Sequence, residues 1–177
     1  MVMDTQSKGN SNELKSMLRF IEDGYNCSIP FGNCAKYDFI VDINNHLYRM
    51  QNKCASYYTR SDTGEKDFGS IIIQCCSQTT NTQKTTRHKY NKNQIDFFTT
   101  THCGKTYIIP VEECSEHKVL RLEMPKNGIT NYNWADDYLY ENVINKLKDG
   151  TYTPMTLNER IEKNKMRKSV RSGRLIG

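Results

Sequence analysis

The stretch that most constrains this chain is YDFIVDI-NN-HLYRMQNKC, from Tyr37 to Cys54. Seven residues rich in β-branched and aromatic types precede Asn44-Asn45, and a second strand-like run follows. Asn tolerates positive φ better than most residues, so two asparagines between such runs predict a two-residue type I′ hairpin. With Asn44 and Asn45 as the loop, Ile43 pairs with His46 and Asp38 falls opposite Gln51. Strand side chains alternate between faces, which places Asp38, Gln51 and Lys53 together. Lys53 is the diagonal neighbour, roughly 7–8 Å from Asp38. Asp42 shares that face by parity but lies at the turn. The opposite face carries Tyr37, Phe39, Val41, Ile43, Tyr48 and Met50, and reads as a core face.

An acid, a hairpin turn and then (D/E)-x-K is the site pattern of the PD-(D/E)XK nuclease superfamily, and this chain resembles a member. The longer string SIPFGNCAKYDFIVDINNHLYRMQNK resembles one branch more narrowly, the homing endonucleases encoded within group I introns. KGNSNELK near the start, IDFF, and YIIPVEE at 107–113 belong to the same resemblance, which covers most of residues 8–123. Gln51 departs from the superfamily pattern, where an Asp or Glu is usual; the intron-encoded branch is similar to this chain in carrying Gln.

The resemblance implies an α/β fold, a mixed central β-sheet flanked by helices. It also implies metal-dependent hydrolysis of double-stranded DNA at an intron-insertion site, leaving a 5′-phosphate and a 3′-hydroxyl. In that reading Asp38 and Gln51 are ligands of Mg²⁺ (or Mn²⁺). Lys53 holds the attacking water or stabilises developing charge, and Glu13, on the first helix, completes the catalytic group. Mg²⁺ takes hard oxygen donors and keeps several waters. An amide in place of a carboxylate therefore predicts weaker metal binding and more reliance on the DNA phosphate. The competing reading is an ordinary solvent-facing hairpin, where an Asp–Lys diagonal contributes at most ~1 kcal/mol.

Glu13 also has a structural alternative. Asn10 followed by Glu13 fits a capping box opening a helix over residues 10–23, with Leu14, Met17, Leu18 and Ile21 as its apolar stripe and Gly24 closing it.

The net charge of +5 is unevenly spread: residues 1–150, read as the nuclease-like domain, are formally neutral, and residues 151–177 form a basic C-terminal arm. Arg160, Lys163, Lys165, Arg167 and Lys168 lie on its helix-compatible run, 157–172, and are expected to hold phosphates. Between Phe68 and Ile95 there is no acidic residue. Residues 77–94 there carry Lys84, Arg87, His88, Lys89 and Lys92 among Thr, Gln and Asn, donors suited to phosphates and base edges. So long a polar segment reads as a functional or disordered loop, with a solvated hairpin as the alternative. Gln83 and Asn91 belong to the same set of base-edge donors.

Other strands are expected at 27–31, 46–58, 68–76, 95–100, 106–111 and 118–123, and a helix over 134–148. Seven cysteines, without a CxxC, predict free thiols in a reducing compartment rather than a disulfide framework or zinc ribbon. There is no P-loop, GxGxxG or HExxH. No long apolar run is present, so a cytoplasmic protein without membrane contact is expected. One hairpin supplies one active site, so cutting both strands calls for a homo-oligomer, dimer or tetramer. Two rival functions remain: a Holliday-junction resolvase or repair nuclease on the same fold, and a sequence-specific DNA-binding protein whose Gln51 marks a decayed site.

Overall fold

The computed structural model describes residues 4–32, 34–81, 84–125 and 129–171. Its centre is a five-stranded mixed sheet built from β1 (Asn26–Ser28), β2 (Phe39–Ile43), β3 (His46–Asn52), β8 (Phe97–His102) and β9 (Lys105–Pro110), side by side in that order. The β3–β8 pair is parallel and the others antiparallel. A second layer is formed by β4 (Ala55–Thr59), β5 (Lys66–Gln74) and β10 (His117–Arg121), a three-stranded sheet with β5 in the middle. β6 (Cys76–Asn81) and β7 (Lys84–Lys89) make a separate antiparallel ribbon. The helices are α1 (Thr5–Glu22), α2 (Tyr140–Lys148) and α3 (Leu157–Arg171).

The β2–β3 hairpin has the expected register, Ile43 opposite His46, with Asn44 and Asn45 at φ 53° and 67°. The Asp42 carboxylate accepts the Asn45 N–H at 2.9 Å, so Asp42 serves the turn. A second two-residue turn, Cys103 and Gly104 at φ 49° and 76°, joins β8 to β9.

Alternation divides the core between the two faces of the central sheet. Phe39, Val41, Ile43, Met50, Phe97 and Ile108 pack under Met17 and Phe20 of α1 and Tyr140, Val143, Ile144 and Leu147 of α2. Phe98, Tyr107 and Ile109 turn the other way, onto Ile71, Ile73 and Leu120 of the second sheet. Tyr37 joins this second core rather than the Phe39 face, because β2 begins only at Phe39 and strand parity does not reach back to it.

Several expectations shift. α1 starts earlier than residue 10: Asp4 caps it by accepting the Ser7 N–H at 2.8 Å, so there is no Asn10–Glu13 capping box and Glu13 sits inside the helix. The face of α1 that meets the sheet carries Ser16, Met17 and Phe20, while Leu14, Leu18 and Ile21 are about half exposed (58, 50 and 49%). β3 does not run on to Tyr58. It ends at Asn52, and β4 resumes at Ala55 in the other sheet, so Lys53 and Cys54 form the crossing. The helix expected over 134–148 is broken at Leu139 (ψ 141°), whose backbone bridges to Tyr107; a 3-10 turn, Ala135–Tyr138, precedes α2.

The segment 77–94 is for the most part the β6–β7 ribbon, a hairpin rather than a structureless loop; Gln83 lies outside the described residues. The cysteines are free thiols. Among the described residues no helix is long and apolar enough to cross a membrane.

α3 docks through polar contacts. Asn164 is fully buried, donating to the carbonyls of Thr130 (2.8 Å) and Tyr132 (2.9 Å). Its apolar residues Leu157, Met166 and Val170 remain exposed.

Candidate active site

The end of the β2–β3 hairpin gathers the acid, the amide and the lysine. Asp38 donates its N–H to the carbonyl of Met50, the residue that pairs with Phe39, at 2.8 Å, so the regular register ends here. Its Oδ2 accepts two short bonds, 2.6 Å from the Asn52 N–H and 2.6 Å from Gln51 Nε2. Gln51 Nε2 also lies 3.3 Å from the Asn52 carbonyl oxygen. Two acceptors around one atom fix which end of the amide is nitrogen. Oε1, an oxygen donor, is therefore the end turned away from Asp38 Oδ2. Lys53 is anchored by its N–H to the Thr99 carbonyl at 2.9 Å, and its Nζ lies over the Tyr90 ring, 5.5 Å from the centroid.

Two carboxylates share this place. Burial raises the Asp38 carboxyl above its ordinary value, opposed by the Asn52 N–H, the Lys53 charge and the Gln51 amide. Burial also raises Glu13, and the charge of Asp38 raises it further. Asp38 thus feels Lys53 and Gln51, and Glu13 feels Asp38. Two half-buried acids, one destabilised by the other's charge, fit a divalent cation: it would relieve both, and the donors are hard oxygens. The donor set is two acids and an amide; among the described residues there is no group of three or more His, Cys, Asp and Glu placed to hold a metal.

The floor of the site is tightly bonded. Asn52, buried beside Gln51, donates to Ser16 Oγ of α1 at 2.8 Å, and Asn12 donates to the Thr101 carbonyl at 2.6 Å. These bonds set α1, and hence Glu13, against β3 and β8. Asp96 of IDFF is structural: it accepts from the Arg49 N–H (2.8 Å) and Nε (3.0 Å), pinning the parallel β3–β8 pair. Glu113 of YIIPVEE is a buried hub, contacted by Lys118 (3.0 Å), Tyr138 (2.5 Å), Arg160 (3.1 Å) and the Met155 N–H (3.0 Å).

Sequence reasoning does not bring Tyr90, one of the residues of the 77–94 segment, or Lys36 to the site. Tyr90, just past β7, packs edge-on against Phe98 and under Lys53, so it couples the ribbon's base to the lysine. A cleft of about 280 Å³ beside it is lined by Lys36, Ser77, Thr79, His88, Lys89 and Gln94. No spacing rule links Tyr90 to a hairpin tens of residues away, or Lys36 to the ribbon; only the fold does.

The basic residues divide into two groups. Lys84, Arg87, His88 and Lys89 lie on the fully exposed strand β7, with Arg87 paired to Glu116 at 2.8 Å. Lys92 is beyond the ribbon, tied to Glu112 at 3.3 Å. On α3 the basic residues differ: Arg160, Arg167 and Lys168 are partly buried, and Lys163 and Lys165 are exposed. Arg160 pairs with buried Glu113, and Lys163 (2.6 Å) and Arg167 both pair with Asp137, itself 6% exposed. Lys168 donates to the Ile129 carbonyl, and Lys165 pairs with Glu162 at 2.7 Å.

This architecture is shared. The bacterial homing endonuclease I-Ssp6803I superposes with a TM-score of 0.65 at 18% identity, covering 85% of this chain and 100% of that one. No curated protein matches the sequence. The family model described as PD-(D/E)XK endonuclease matches residues 3–141, which include Glu13, Asp38, Gln51 and Lys53, and the chain belongs to that family of nucleases.

Proposed function

We propose that the chain is a site-specific, Mg²⁺-dependent endonuclease of the homing type, cutting double-stranded DNA where an intron inserts. The observation that carries the catalytic part is the meeting of Asp38, Glu13, Gln51 and Lys53 at one end of a single hairpin. The nuclease family supports the chemistry, and the fold shared with a homing endonuclease supports the type.

Asp38, Gln51 through Oε1, and Glu13 would hold the ion. When bound it supplies charge neutralisation for the phosphoryl oxygens and a more acidic water. The chain's own contribution is positional. The Asn52 N–H and the Gln51 amide hold Asp38 in one orientation. Lys53 presents a preorganised cation where negative charge develops, a device worth several kcal/mol in a water-poor site. Tyr90 keeps that cation close to the scissile phosphate rather than free in solvent.

The β6–β7 ribbon is the proposed DNA-reading element, because a two-stranded ribbon fits the major groove. Arg87 and His88 suit base edges, and Lys84, Lys89 and Lys36 suit phosphates. On α3, Arg160 is engaged with Glu113, Arg167 with Asp137 and Lys168 with the Ile129 carbonyl, which favours a bracing role for these three. Lys163 and Lys165, each about half exposed (46 and 56%), are the α3 residues proposed to reach phosphates.

The test is cleavage of two plasmids in Mg²⁺, one carrying the allele without the intron and one the allele interrupted by it. Cutting of the first and not the second supports the proposal. Preference for a four-way junction over linear duplex would favour a resolvase. Tight binding with no nick in either plasmid would favour the decayed-site reading.

A further inference from the structure

We propose that the cavity between β5, the end of β10 and the chain around Tyr132 is a binding site for a guanine base. Its volume is about 520 Å³, inside the range of roughly 300–1,000 Å³ usual for small-molecule sites. It lies at the Asp67 end of β5, whereas Lys53 adjoins Ala55, which pairs with Ile73 near the other end. The wall formed by β5 and β10 is tightly bonded. Asp67 accepts from the Gly69 N–H (3.0 Å), Ser70 Oγ (3.1 Å) and Arg121 (3.0 Å), so it is engaged by its neighbours. The Leu122 and Glu123 N–H groups both donate to the Gly69 carbonyl, at 2.8 and 3.2 Å. Glu123 is thereby held over Gly69: a Cβ added there would lie 3.5 Å from Glu123 Oε2.

Three features of the lining select the occupant. Met124, Pro125, Ile129 and Tyr132 give it an apolar surface suited to a flat ring. At its edge stand one acid and one base, Glu123 and Arg60, both exposed and without an ion pair among the described residues. A bare anion would leave Glu123 unmatched, and a bare cation would leave Arg60 so. Two polar atoms of wall residues, the Tyr132 hydroxyl and Arg121 Nε, are buried without a hydrogen-bond partner among the described residues. Buried polar groups are nearly always bonded, so the cavity suits an occupant with both donors and acceptors. A carboxylate accepts two parallel N–H groups, and a guanidinium donates two. Guanine is the nucleobase that offers both counterparts: N1–H and N2–H₂ side by side for Glu123, O6 and N7 side by side for Arg60. Adenine, cytosine and thymine lack the paired donors. The base is supplied either by a free nucleotide or by an unstacked position in a nucleic-acid strand, and the chemistry of recognition is the same. The inference stands on this cavity and does not require the nuclease reading.

Isothermal titration calorimetry of the full chain with GMP, AMP, CMP and dTMP, without metal, tests the site. GMP is expected to bind at least ~10-fold more tightly than the other three. IMP, which lacks only the N2 amino group, should bind several-fold more weakly than GMP to the wild type and as GMP does to Glu123→Ala. Glu123→Ala and Arg60→Ala should each weaken GMP by ~10-fold or more, with unchanged circular dichroism because both side chains are exposed. Trp134, the single tryptophan, lies 6.2 Å from the Tyr132 ring, so its fluorescence should change as GMP binds. An oligothymidylate carrying one central guanine, compared with the same strand carrying hypoxanthine there, separates the two sources. Tighter binding of the guanine strand than of GMP, lost in Glu123→Ala, identifies a strand position; GMP binding without that gain identifies a free nucleotide. No preference for guanine in either format, or a Glu123→Ala variant that distinguishes GMP from IMP as the wild type does, would overturn the proposal.

Discussion

Asp38 and Glu13 both sit above their ordinary values of 3.8 and 4.5. The folded chain therefore holds their protons more tightly than the unfolded chain does. The stability this adds is complete below the ordinary carboxylate values and is lost as pH rises through the raised ones. In metal-free protein at pH 7 the ionised pair is a liability. Asp38→Asn, which can still accept from the Asn52 N–H and Gln51, should raise the Tm at pH 7, with the gain vanishing below about pH 3, where the wild-type acid is protonated in both states. A lower Tm for this variant at pH 7 would contradict the electrostatics. Mg²⁺ should stabilise the wild type and leave Asp38→Asn nearly unchanged, because only a folded-state site gains from ligand. At Gln51, Glu adds a charge at the same reach and should lower the Mg²⁺ needed for cleavage. Gln51→Leu should be far worse, and equal rates for all three side chains would exclude a ligand role.

Elements whose sequence signal is local are legible; those fixed by distant partners are not. The β2–β3 register follows from two asparagines and alternation, and with it the Asp38–Gln51 pair. The start of α1 escapes such reasoning because Asp4 caps a helix whose first residues, Thr5 to Asn10, include no apolar side chain, while the Leu14, Leu18, Ile21 stripe imitates a core face. α3 resembles a free basic arm because its apolar positions are sparse; what holds it is a buried asparagine and ion pairs to Glu113 and Asp137. Asn164→Ala should accordingly cost about 1–3 kcal/mol in chemical denaturation, by leaving the Thr130 and Tyr132 carbonyls short of a donor. A change under a few tenths would mean that α3 is not part of the folded body. On the ribbon, the exposed Arg87–Glu116 pair is worth little to stability. Glu116→Ala should free Arg87 and tighten DNA binding with no loss of Tm, whereas Arg87→Ala should cost about 1–3 kcal/mol, mainly on target DNA.

The whole molecule puts one hairpin end, the base of a basic ribbon and the first helix side by side, through the parallel β3–β8 pair that Arg49 and Asp96 pin. Lys53 is central to that arrangement, since it stands where the chain leaves one sheet for the other. The most direct measurement is single-turnover cleavage of target plasmid in Mg²⁺ by the wild type, Asp38→Ala and Lys53→Ala, with binding checked in Ca²⁺. Each variant is expected to bind and fold as the wild type does and to cut at least ~10²-fold more slowly, a loss above ~2.7 kcal/mol in transition-state stabilisation. Wild-type cutting rates in the Asp38→Ala/Lys53→Ala double variant would show that the chemistry lies elsewhere.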